Sequence, residues 1–125
     1  MPRLDRDPDA PGPLVQGFAA GGFAVDGEVY PAVLLTPEAA RAWQPPAAAA
    51  DLAEAHLEGL LALDPIPEFL LLGTGPRHAT PPRAFREALD ARGIGLEAMD
   101  SRAAARTWGV LRAEERWIVA ALMPL

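Results

Sequence analysis

Two short stretches hold the residue types that chemistry at a strand end would need. One is Gly73-Thr74-Gly75-Pro76-Arg77-His78. The other is Asp100-Ser101, with Arg106 further along the same segment. Glycines flanking a threonine let a backbone approach a ligand closely. A helix starting at such a loop aims free N–H groups and a partial positive charge at it. With Arg77 and Arg106 added, the two loops could hold a small anion or a partner's carboxylate. The same residues also read as plain architecture: turn glycines, an Asp100-Ser101 helix cap and an Arg106–Asp100 ion pair. Both readings stand at this level. The candidate binding set is Gly73, Thr74, Gly75, Arg77, Asp100, Ser101 and Arg106.

Covalent chemistry has little to work with. The chain has no Cys and no Lys, Ser101 is its one serine, and His56 and His78 are its two histidines. A Ser101–His78 pair across the two loops is conceivable, but no Gly-x-Ser-x-Gly elbow surrounds Ser101. No catalytic residue is assigned, and the reading leans away from an enzyme. Two isolated histidines without cysteine give no ligand-spaced cluster, so no metal is expected. Gly-Thr-Gly lacks the third glycine of a dinucleotide fingerprint and the Gly-Lys-Ser/Thr of a phosphate-binding loop, so no cofactor is expected either.

Composition narrows the partners. The net charge is −6 over 125 residues, and all 11 basic residues are arginine. An acidic chain without a basic stripe is not expected to bind nucleic acid or anionic lipid. Residues 1–7 lack the apolar core of a secretory signal. The apolar run at 117–125 is too short to span a bilayer. The expectation is a soluble cytoplasmic protein, without membrane insertion.

The elements that must position the two loops follow from local pattern. Residues 1–13 carry four prolines among Asp and Arg and are expected to form a flexible tail. Residues 14–125 form one domain. Asp26-Gly27 between β-type segments predicts a two-residue hairpin with Phe23 opposite Tyr30. Residues 32–35 continue as a strand, and 37–50 read as a loop in which Trp43 plugs the core edge. A helix is expected over 51–63, with Asp51 as cap, Glu54 in the capping box, and Ala53, Leu57, Leu60 and Leu61 inward. Residues 68–72 read as a strand buried on both faces. A helix capped by Thr80, with Pro81 first, buries Phe85, Ala88 and Leu89 and stops at Gly93. Residues 94–99 read as a core strand. Ser101 is expected to cap a helix through Leu111 that turns Ala104, Trp108 and Leu111 inward. Residues 116–123 are apolar enough to be the central strand. The sum is a single three-layer α/β domain: a central mixed, mostly parallel sheet, helices on both faces and an N-terminal β-hairpin.

Several of these segments together resemble a known family. Leu71-Leu72-Gly73-Thr74-Gly75, Pro81-Pro82, residues 92–97, Met99-Asp100-Ser101-Arg102-Ala103-Ala104-Ala105-Arg106-Thr107-Trp108 and Ala120-Ala121-Leu122 are similar to the NADH dehydrogenase (complex I) assembly factor 3-like family, also called the adipogenesis-associated domain family. The resemblance extends over about 14–125, more weakly through the hairpin and Trp43. Two positions depart from it: Ser101 stands where the family usually has Thr, and Trp108-Gly109 where it usually has Tyr-Asn. The resemblance implies a three-layer α/β fold and, from mitochondrial members, a role in complex I assembly. Two functions follow as expectations. One is a non-enzymatic protein-binding or assembly module whose partner is a respiratory-complex subunit or another assembly client. The other is an anion- or small-molecule-binding enzyme or sensor using the Gly-Thr-Gly and Asp-Ser loops. A monomer, or a weak homodimer through the hairpin edge, is expected.

Overall fold

The computed structural model describes residues 12–125. The expected tail therefore lies mostly outside the described residues. Pro13 is buried, and its carbonyl accepts a hydrogen bond from Trp108 Nε1 at 2.9 Å.

An antiparallel three-stranded sheet comes first: β1 (Val15–Ala19), β2 (Gly22–Val25) and β3 (Glu28–Tyr30). Asp26 and Gly27 both take positive φ, +50° and +84°, as the hairpin requires. Phe23 faces Tyr30 as expected. β1 is an added strand. Its turn to β2 is again made by two left-handed residues, Ala20 (φ +50°) and Gly21 (φ +77°). Phe18 meets Phe23 edge to face, with ring centres 6.1 Å apart.

The main sheet has five strands in the order β5 (Ala40–Ala42), β4 (Val33–Leu35), β8 (Val119–Leu122), β6 (Phe69–Gly73), β7 (Gly95–Met99). β7, β6 and β8 run parallel, and β4 and β5 pair antiparallel to close one side. The apolar segment near the C-terminus is central, as expected. Strand alternation sorts the core into two layers. Leu34, Leu70, Leu72, Val119 and Ala121 point to one face, under Leu52, Leu57, Leu60, Leu61, Phe85 and Leu89. Val33, Leu35, Leu71, Ala120 and Leu122 point to the other, under Phe23, Val25, Ala104 and Trp108. The first layer is covered by α1 (Glu58–Leu61) and α2 (Arg83–Ala91), the second by α3 (Ser101–Ala113) and the hairpin sheet.

Local expectations differ from the structure at several points. The helix expected over 51–63 is instead two 3-10 turns, Ala49–Asp51 and Glu54–Leu57, followed by the single turn of α1. Leu52 and Leu57 are both buried. Five residues apart, they would lie about 140° apart on an unbroken helix. Burying both against one sheet breaks it. Ala53 is exposed and Leu52 takes its expected place. Asp51 caps nothing, and Glu54 pairs with Arg92 at 2.8 Å. His56 is exposed and accepts the Ala53 N–H through Nδ1 at 3.0 Å. α2 starts at Arg83, not after Thr80. A residue before proline is driven out of helical conformation, so Pro82 keeps Pro81 extended. The stop at Gly93 holds: Gly93 N–H bonds Asp90 O and Ile94 N–H bonds Leu89 O, both at 3.0 Å. Residues 94–99 give an edge strand rather than a core one, with Gly95 and Glu97 exposed. A short strand, β5, lies in the expected 37–50 loop, paired with β4.

The strand starts are tied as firmly as the core. Glu68 N–H bonds Trp117 O at 2.8 Å, and Gly95 N–H bonds Glu68 O at 3.0 Å. Arg116 Nη2 reaches Glu68 Oε1 at 2.8 Å. Those guanidinium hydrogen bonds hold the Glu68 carboxyl below its usual range. A depressed carboxylate adds stability above its unfolded pKa and loses it as pH falls through its folded value. Glu68→Gln should therefore reduce the loss of urea-unfolding stability on the acid side of the carboxylate range, while the wild type loses more; equal losses would exclude a role for this pair. At the other layer, Trp108→Phe removes the donor to the buried Pro13 carbonyl. It is expected to lower stability by about 1–3 kcal/mol, read from urea unfolding. A change below about 0.5 kcal/mol would show that the bond contributes little.

Candidate functional site

β6, β7 and β8 are parallel, so Gly73, Met99 and Leu122 end at one edge of the sheet. Backbone hydrogen bonds carry the pairing past those ends. Thr74 N–H donates to Met99 O at 2.8 Å, Met123 N–H to Gly73 O at 2.9 Å, and Ser101 N–H to Gly75 O at 2.8 Å.

Ser101 sits at the centre and has no exposed surface. Its hydroxyl donates to Met123 O at 2.7 Å and accepts from Gly75 N–H at 2.9 Å. One side chain thus ties the ends of β6 and β8 to the start of α3. The expected cap is displaced by one residue: Asp100 caps α3 by accepting from Ala103 N–H at 2.9 Å, and Ser101 is the first helical residue. The close approach requires Gly73, where a Cβ would lie 2.8 Å from Ser101 Oγ and 2.9 Å from Leu122 Cδ2. Gly75 has φ +108°, which suits glycine. Thr74 is also buried. Its hydroxyl accepts from Ala79 N–H at 3.0 Å and lies 2.8 Å from Arg77 O and 3.2 Å from Met99 O, its single proton serving the pair.

Of the seven candidate residues, the structure joins Gly73, Thr74, Gly75, Asp100 and Ser101 in one hydrogen-bonded knot. It does not join the two arginines to it. Arg77 and Arg106 are exposed. Asp100 serves the helix cap, and no ion pair to Arg106 exists among the described residues. Arg106 instead lines a hollow of about 230 Å³ between α3 and β1. Among the described residues no group of three or more acidic or histidine side chains is placed to hold a metal ion.

What lies over the knot is apolar. A groove of about 470 Å³ is bounded by Thr74, Gly75, Met123 and Pro124 on the strand ends and by Trp43 with the run 44–48 opposite. None of its lining residues is charged. Trp43 is its keystone, as expected of a residue plugging the core edge. Its Nε1 donates to Leu122 O at 3.1 Å, and its ring packs against the first core layer. On its other side, a second hollow of about 390 Å³ shares Pro31, Ala32, Trp43 and Gln44. The opposite wall was not legible in the sequence as a site. Its only signal was a proline- and alanine-rich run directly after a tryptophan.

Comparison with known proteins places this geometry. Residues 15–123 match the family described as a protein of unknown function (DUF498/DUF598). The chain belongs to that family. It is 34% identical to an uncharacterised protein of Rhodobacter capsulatus, over 96% of this chain and 92% of that one. It is 31% identical to the NADH dehydrogenase [ubiquinone] 1 alpha subcomplex assembly factor 3 of Danio rerio, over 90% of this chain. The aligned region is 65% of that longer protein. A Bordetella pertussis protein, solved in solution and described as a Mth938-like domain, superposes with a TM-score of 0.80 at 30% identity, covering 99% of this chain and 92% of that one. The assembly factor 3-like resemblance read from residues 71–75 and 99–108 is thus established. The Bordetella pertussis structure shares the mixed α/β fold of this chain.

The knot makes a sharp prediction. Ser101→Ala leaves the Gly75 N–H and the Met123 carbonyl without their partner in a buried place. At about 1–3 kcal/mol per orphaned group, the loss should be about 2–6 kcal/mol, read from urea or thermal unfolding. Ser101→Thr, which keeps the hydroxyl, should lose less. Wild-type stability in Ser101→Ala would show that water replaces the hydroxyl.

Proposed function

We propose that this protein is a non-catalytic binding module that holds a client protein during assembly of a larger complex, with the Trp43 groove as the client-facing surface. The observation that carries this reading is the groove's chemistry. It lies outside the carboxyl ends of parallel strands, where open α/β sheets take their ligands, yet its lining is mostly apolar, with Gln44 and Thr74 as its polar side chains and none charged. The Ser101 hydroxyl and Gly75 N–H beneath it are bonded within the fold. Such a surface suits an uncharged apolar segment of a protein better than an anion. The name of the Danio rerio relative supports the same reading and suggests a client among respiratory NADH dehydrogenase subunits. No described helix is long and apolar enough to cross a membrane, so client binding would take place at a water-facing surface.

A photo-crosslinking residue at Gln44, in the full-length protein expressed in its native host, tests the proposal. It should trap one or a few subunits of a respiratory or similar complex. Ala47→Glu puts a charge on the groove wall, and desolvating it without a partner is unfavourable. That change should cut the trapped yield about tenfold at unchanged melting temperature. An undiminished yield in Ala47→Glu, or capture of general chaperones alone, would overturn the proposal.

A further inference from the structure

A second surface lies on the other face of the molecule, formed by α3 and β1. β1 pairs with β2 alone, so its outer edge has no strand partner among the described residues. Pairing across its inner edge is irregular between Val15 and Gly17. Beside it run Arg102 and Arg106, one turn apart on α3 and both exposed. The Arg102 guanidinium lies 4.7 Å from the centre of the Phe18 ring. Arg106 and Ala105 form the hollow of about 230 Å³ with residues 15–18. Neither arginine has an acidic partner among the described residues. Two guanidiniums without an acidic partner among the described residues stand out on a chain with 17 acidic and 11 basic residues.

We infer that this surface binds an acidic, extended segment of another protein, added as a strand along the free edge of β1 with carboxylates on Arg102 and Arg106. Spacing supports the match. Side chains one helical turn apart have Cβ atoms about 5–6 Å apart. Alternate residues of an extended strand, which share one face, lie about 7 Å apart. Carboxylates at alternate positions of a docked strand therefore reach successive arginines, while its backbone meets the unpaired N–H and C=O groups of β1. Arg102 is pre-oriented by the Phe18 ring, which lowers the entropy lost on binding. Charge also decides against a second copy of the chain as occupant. Edge-to-edge pairing of two β1 strands would bring four arginines together, and β1 itself supplies no carboxylate.

The test uses the full chain and a fluorescent ten-residue peptide with Glu at alternate positions and Val or Thr between them. Anisotropy should show saturable binding that weakens with salt. Arg102→Gln/Arg106→Gln should weaken it about fivefold or more. Arg106→Gln alone, which leaves Arg102 on Phe18, should give part of that loss. A peptide with Lys in place of Glu should not bind, and methylating alternate backbone nitrogens should abolish binding by blocking strand addition. The assay is repeated with Asp5, Asp7 and Asp9 changed to Asn, so that the chain's own acidic residues do not compete. Absence of binding in both backgrounds, equal affinity in the arginine variants, or equal binding of the Lys peptide would each overturn the inference. So would sedimentation showing a dimer that β1 substitutions dissolve. Ala47→Glu should leave this binding unchanged, so failure here and failure of the Trp43 groove are read separately.

Discussion

One hydroxyl group holds the end of this sheet together. Ser101 Oγ bonds the backbone on both sides of a space that Gly73 leaves open, and the ends of β6 and β8 and the start of α3 meet there. Parallel strands cannot be joined by tight turns, so their ends are natural points of divergence. Here the divergence is checked by a buried side chain and a glycine that has room for nothing larger. The groove above inherits its shape from this arrangement. Its floor is backbone held at fixed distances, and its wall is a tryptophan whose ring nitrogen is bonded to the same strand end.

This closure shapes what the protein can do. Glycine, threonine, serine and aspartate at the ends of parallel strands are the usual components of an anion site. In this chain they bond backbone groups of the fold, and Ser101 bonds Gly75 directly. The hydroxyls of Thr74 and Ser101 and the Asp100 carboxylate each have partners inside the fold. Above the strand ends the exposed groove is mostly apolar, and beside β1 the exposed side chains of α3 include Arg102 and Arg106.

Much of the architecture was legible from residues 23–30, 68–72, 81–93 and 116–123. There local chemistry agrees with tertiary demand: a left-handed turn at Asp26-Gly27, unbroken apolar runs for strands covered on both faces, and a glycine stop at 93. Legibility failed where a distant constraint outweighed local preference. Residues 51–63 have helical spacing, but burying Leu52 as well as Leu57 required a break. The Thr80 start was overruled by consecutive prolines. β1 and β5 lean on pairing partners that a linear pattern does not reveal. At the strand ends, the loops at 73–75 and 100–101 that the sequence marked as candidates do lie side by side. The sequence did not show that Ser101 points inward or that Arg106 faces β1, because both depend on the rotation of α3 against the sheet.

The position of β8 bears on how the chain is made. It is the third of five strands in space but the eighth in sequence. Both core layers include its side chains, and both of its neighbours bond to it. The main sheet is therefore complete only when residues 119–122 join it, and until then Leu34, Leu35, Leu70, Leu71 and Leu72 lack the strand they pack beside. Apolar surface left open in this way is what makes an incomplete chain prone to aggregate.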